Sequence, residues 1–206
     1  IIFERPLSER AELITLSDDP RKLMSSLSSE ELLFITRSTD REGVMELAEY
    51  ASTDQLVFLT DYNCWEGDTI DHGHFVQWLS DLLEISLEKF TATIAKLDYE
   101  MLVAAFKHCI EVIKTEHEEV IDEIVGDDPY FTLDSLYYVH VMSEDSFRTV
   151  KTALEIIYAK DKELYFELLE GIITETDSQI EEDAFELREE RLAEHGFPPR
   201  EESFRI

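Results

Sequence analysis

Three nine-residue strings, LSSEELLFI (27–35), ASTDQLVFL (51–59) and LDYEMLVAA (97–105), align without gaps at offsets of 24 and 46 residues. In the first two, a serine stands three positions ahead of a residue with a longer acceptor side chain: Ser28 with Glu31, and Ser52 with Gln55. The serine oxygen can accept from a first-turn amide while the longer side chain accepts from the serine's own amide, so two helix starts are encoded locally. Elsewhere apolar residues recur mostly at spacings of three and four, the period of a helix with one buried face. Six glycines and five prolines leave few interruptions in 206 residues. The predicted fold class is all-α. Helical hairpins repeating at about 24 residues cannot bury their apolar faces alone, so residues 1–125 are expected to form a helical-repeat superhelix.

Further helices are expected at 71–85, 86–96 and 98–124. The last of these carries Leu102, Phe106, Cys109, Ile113, His117, Val120 and Ile124 on one stripe. The string GDDP (126–129) breaks the pattern, because Gly126 suits a helix end and Pro129 cannot continue the hydrogen-bond ladder. A C-terminal helical region, 126–206, is expected to begin there and pack on the first. Within it, YFTLDSLYYVHV (130–141) reads as a short β-hairpin or strand from its aromatic and β-branched residues, or as a short helix from Leu133. Helices resume at 143–160, 161–175 and 177–195, and Gly196 with Pro198 and Pro199 ends the last one.

The chain is 44% hydrophobic, enough for a sizeable core, and carries 48 acidic against 18 basic residues, a formal charge of −30. Such a surface repels phosphate backbones and anionic lipid, which argues against nucleic acid and membrane partners and favours basic proteins or divalent cations. The two cysteines, Cys64 and Cys109, show no paired spacing, so a reducing compartment and a cytoplasmic location are expected. The longest apolar run is MLVAAF (101–106), too short for a membrane span. With no initiator methionine, the chain is expected to be a fragment of a longer polypeptide.

Residues 60–74, TDYNCWEGDTIDHGH, concentrate the chemically interesting side chains. Counted from Asp61 as a calcium loop, the fifth, sixth and twelfth positions are Trp65, Glu66 and His72, where an oxygen ligand, glycine and glutamate are needed. A zinc site from Cys64, His72 and His74 requires an extended backbone to converge the two histidines. Asp71 reads as a helix N-cap, which puts both histidines in a first helical turn where they diverge. The favoured reading is a connecting loop with Asp68 and Asp71 capping amides and Trp65 as its aromatic anchor. Candidate metal ligands are therefore Asp61, Asp68, Asp71, His72 and His74, with a second acidic group at Glu118, Glu119, Asp122, Glu123, Asp127 and Asp128. The string HEEVI (117–121) lacks the second histidine of a zinc-protease helix and has Ile121 in its place, leaving His117 as a core or edge residue. No glutamate stands three residues before any histidine, which sets di-iron bundle chemistry aside, and nucleotide-loop and nucleophile-elbow patterns are missing. In the last helix Glu181, Phe185, Arg188 and Leu192 share a face. With Glu182 and Arg191 they form a polar set, read as an internal ion pair or as a ligand site.

The strings LTDYNCWEGDTID, FTLDSLYYVHVMSEDSF and EEDAFELREERLAEHGFPPREE resemble, in that order, motifs of an uncharacterised bacterial domain-of-unknown-function family over about residues 22–206. That resemblance implies no activity, catalytic residue or ligand. The repeats at 27, 51 and 97 are similar to those of the cytosolic N-terminal domain of MgtE-type magnesium transporters, which implies a helical superhelix and an acidic surface used in magnesium sensing. The leading expectation is a non-enzymatic protein-interaction or scaffold module. The alternative is a Mg²⁺- or Ca²⁺-sensing domain, and the third is an enzyme with a pocket near Arg188 and His140.

Overall fold

The computed structural model describes residues 6–115 and 129–197. Eleven helices and two small antiparallel sheets are found among these residues, so the fold is mostly α with a minor β part. The described residues group into two compact units, the first within Ile1–Asn63, Asp81–Lys96 and Glu186–Ile206 and the second within Cys64–Ser80 and Leu97–Phe185. The boundary expected at 126 lies outside the described residues.

In the first unit, helices α1 (Leu7–Thr15), α2 (Pro20–Ser25), α3 (Ser29–Arg37), α4 (Arg41–Tyr50) and α5 (Thr53–Asn63) follow one another through short connections. Both expected capping boxes form. Ser28 donates its amide to the Glu31 carboxylate at 3.0 Å and accepts from the Glu31 amide at 3.2 Å. Ser52 and Gln55 repeat this at 3.0 and 3.2 Å, and the Gln55 amide nitrogen also donates to the Met24 carbonyl at 2.8 Å. These starts bury Leu32, Ile35, Leu56, Phe58 and Leu59 with Ile14, Met24 and Leu47. Burying a side chain of this size is worth about 1.5–3 kcal/mol, so apolar contact rather than the caps holds the helices together.

The second unit holds the β structure. Strand β1 (Trp65–Glu66) pairs with β2 (Thr69–Ile70), so the expected aromatic-anchored loop is a two-strand hairpin. Gly67, at φ 72°, supplies the left-handed residue of its turn, and Trp65 lies 5.9 Å from the Phe185 ring, the anchor role expected of it. Helix α6 (His72–Ile85) follows, its residues divided between the two units, and α7 (Leu87–Ile94) belongs to the first.

The helix expected over 98–124 is corrected: α8 spans Tyr99–Lys107 and strand β3 takes Ile110–Lys114. β3 pairs along its whole length with β5 (Tyr137–Val141), from Ile110 opposite Val141 to Lys114 opposite Tyr137, and β4 (Tyr130–Phe131) flanks β5 on its other side. The paired backbone bonds, with Tyr137, Val139 and Val141 buried behind them, outweigh the helical spacing that Cys109 and Ile113 offer locally. The hairpin reading of 130–141 is thus the correct one of the two. Its turn is fixed by the Asp134 carboxylate, which accepts from the amides of Leu136 and Tyr137 at 2.7 and 2.8 Å, while Ser135 sits at φ 63°.

Helices α9 (Glu144–Lys160), α10 (Lys162–Thr174) and α11 (Asp177–Glu194) complete the chain close to the expected bounds. α10 meets α8 closely at Gly171, where any Cβ would collide with the Tyr99 hydroxyl and press on Val103. Gly196, at φ 87°, ends the last helix as expected, with the Phe197 amide donating to the Leu192 carbonyl at 3.0 Å. Pro198 and Pro199 lie outside the described residues.

Candidate metal centre

Asp61, a candidate metal ligand, is paired with an arginine. Its carboxylate is buried in the first unit, 1% exposed, and both oxygens accept from Arg191, from Nε and Nη2 at 2.7 Å each. Arg188 donates from Nε to the Asp61 carbonyl at 2.6 Å and pairs with the carboxylate of Glu189, next in sequence, at 3.2 Å. Both oxygens are thus engaged in a bidentate pair with a guanidinium, whose charge opposes the approach of a cation. Arg191 thus pairs with Asp61, and Arg188 with Glu189.

In the second unit Asp71 starts α6, accepting from the His74 amide at 2.9 Å and from His74 Nδ1 at 2.8 Å. This is the expected cap. It also separates the two histidines, because His74 points to solvent with its side chain 72% exposed while His72 turns toward α8. Asp68 lies exposed at the turn of the β1–β2 hairpin and Cys64 is buried beside it. Glu118, Glu119, Asp122, Glu123, Asp127 and Asp128 lie outside the described residues, as do His117 and Ile121. His140 packs its ring 5.2 Å from Tyr130.

What the fold brings together is His72, at the first position of α6, His108, the C-cap of α8, and Glu181 in the first half of α11. One ligand atom from each lies within 4.8 Å of the other two. The imidazoles face each other with centroids 4.1 Å apart and planes tilted by 32°. A tetrahedral ion with bonds of about 2.0–2.1 Å holds its ligand atoms about 3.3 Å apart, so small side-chain rotations close this set. Burial, and next the neighbouring His108, hold the His72 pKa below its ordinary value, against the opposing pull of the Ala105 carbonyl and the Asp71 charge. His72 is therefore neutral at pH 7, the form in which imidazole coordinates a metal. Its Nδ1 is sealed from solvent and has no hydrogen-bond partner among the described residues.

Two of these three residues, His72 and His108, also line a cleft of about 340 Å³ with Gln77, Met142, Asp145 and Thr149. Cys109 is on the same wall. Its thiol donates to the Ala105 carbonyl at 3.2 Å, and burial pushes its pKa up to about 11, so it is neither a nucleophile nor a ready ligand at neutral pH.

Sequence reasoning named His72 and Glu181 in separate contexts and did not name His108. The missing signal was the end of α8: the helix stops at Lys107 with His108 as its C-cap, and the strand that follows pairs with residues 23 to 31 positions on.

The fold and this cluster define a mostly helical protein with two small antiparallel sheets and a histidine–histidine–glutamate set. The chain belongs to the Family of unknown function (DUF6178), which matches residues 2–206, in agreement with the resemblance to an uncharacterised family. No curated protein and no solved structure matches it. No described helix is long and apolar enough to cross a membrane.

Proposed function

We propose that this protein is a metal-responsive module that binds a divalent transition-metal ion, zinc(II) by default, through His72, His108 and Glu181. The observation that carries the reading is the approach of two imidazoles and a carboxylate to within 4.8 Å from three separate helices. Imidazole suits zinc and its neighbours, whereas Mg²⁺ and Ca²⁺ require oxygen ligands. The cation-sensing alternative therefore stands here with a softer ion and a different site. An ion at this place ties the start of α6 and the end of α8 to α11, and its binding energy adds to the stability of the second unit.

Thermal unfolding against Zn²⁺, Mg²⁺ and Ca²⁺ at matched ionic strength, with a chelator control, tests the reading. At a hundred times its dissociation constant zinc should add about 2.7 kcal/mol. His108→Ala, at an exposed position that the fold tolerates, should lose that gain, as should Glu181→Gln. Equal stabilisation of both variants and the parent by zinc would falsify the site.

A protein-interaction role is the second reading, supported by Leu16, Leu87 and Met142, which are 75%, 58% and 63% exposed. Single exposed apolar residues are common on monomers, so this observation carries less than the cluster does.

A further inference from the structure

A structural zinc site is closed by four protein ligands, whereas a site with three protein ligands keeps one position for a molecule from solution. Among the described residues the set around His72, His108 and Glu181 contains three. The adjoining cleft is the place from which a fourth ligand can come, since His72 and His108 form part of its wall. At about 340 Å³ it lies within the range of small-molecule sites, about 300–1,000 Å³.

The wall also selects the kind of molecule. It contains neither lysine nor arginine, and apart from the two histidines its one ionisable charge is Asp145, with hydroxyls from Ser80, Ser146 and Thr149 and an apolar side at Met142. An anion entering here finds no cation except the metal and meets the Asp145 carboxylate in a chain of net charge −30. A neutral molecule finds hydroxyl partners and no repulsion.

Resting on the metal reading above, we infer that the ion's remaining coordination position opens into this cleft and takes an exchangeable ligand. That ligand is a small nitrogen donor of the amine or imidazole class, bound as the neutral base after its proton has gone to solvent. His72 and His108 serve both as metal ligands and as part of the wall against which it packs.

The test loads the chain with Co²⁺, whose visible bands report coordination number and ligand type, and adds imidazole or acetate. Imidazole should change the bands saturably, at a concentration at least tenfold below that needed for acetate. Asp145→Lys, at an exposed position, should bring acetate closer to imidazole or past it. Ser146→Trp, which fills the cleft, should keep the cobalt bands and lose the imidazole response. If the parent protein shows no cobalt bands, the metal reading itself fails and this inference with it. Cobalt bands that imidazole leaves unchanged show a closed centre and overturn the inference alone. An undiminished imidazole response in Ser146→Trp, or an unshifted preference in Asp145→Lys, shows that the ligand reaches the ion from elsewhere and overturns it as well.

Discussion

Asp61 shows how one residue can be legible in identity while its surroundings are not. A carboxylate beside Asn63, Cys64 and two histidines reads as a candidate ligand, yet its environment is decided by Arg188 and Arg191, about 130 positions away in the chain. Buried at 1% exposure, the charge is sustained by the bidentate guanidinium of Arg191. Removing one member of such a pair leaves the other charge in a poorly solvated place, at a cost of about 3–5 kcal/mol. Asp61→Ala should therefore lower stability by about 3 kcal/mol in urea unfolding, with no loss of zinc affinity, because the pair belongs to the first unit and the cluster to the second. A drop in zinc affinity with unchanged stability would restore Asp61 as a ligand.

At the scale of elements, caps and periodicity were sufficient where contacts are local. The boxes at Ser28 and Ser52, the cap at Asp71 and the stop at Gly196 all rest on bonds that span five residues or fewer. β3 was not legible for the opposite reason, since Ile110–Lys114 becomes a strand only by pairing with Tyr137–Val141. The sheet is fastened to α10 through Glu170, whose carboxylate accepts from Lys114 Nζ at 2.8 Å and from the Tyr137 hydroxyl at 2.6 Å. Those two contacts, the lysine first, hold the Glu170 pKa below its ordinary value. A carboxylate with a depressed folded pKa contributes stability above its unfolded pKa of about 4.3 and loses it as pH falls through the folded value. Glu170→Gln should accordingly flatten the acid limb of the stability profile below about pH 4.3 and leave its shape at neutral pH unchanged. A parent-like acid limb in the variant would show that the contact does not couple to folding.

For the whole molecule the dominant quantity is the charge of −30. Self-repulsion on this scale opposes the compact state, and screening shortens its reach from about 30 Å at 0.01 M salt to about 10 Å at 0.1 M. The melting temperature should rise steadily as sodium chloride is raised from low to moderate concentration, and magnesium chloride at equal ionic strength should act no differently. A fall with added salt would mean that attractive pairs such as Asp61–Arg191 and Glu170–Lys114 outweigh the net repulsion. A specific gain from zinc on top of this salt response separates site binding from bulk screening.

The sequence by itself determined what depends on neighbours along the chain: helical content, the helix starts at Ser28, Ser52 and Asp71, the stop at Gly196, the net charge and the divergence of His72 and His74. Each follows from hydrogen bonds or side-chain spacing over a few residues. Tertiary structure alone decided the strand at 110–114, the burial of Asp61 against Arg191, and the meeting of His72, His108 and Glu181. These depend on contacts between residues 23 to 130 positions apart, where strand pairing, desolvation and helix packing set the outcome and no local pattern records it.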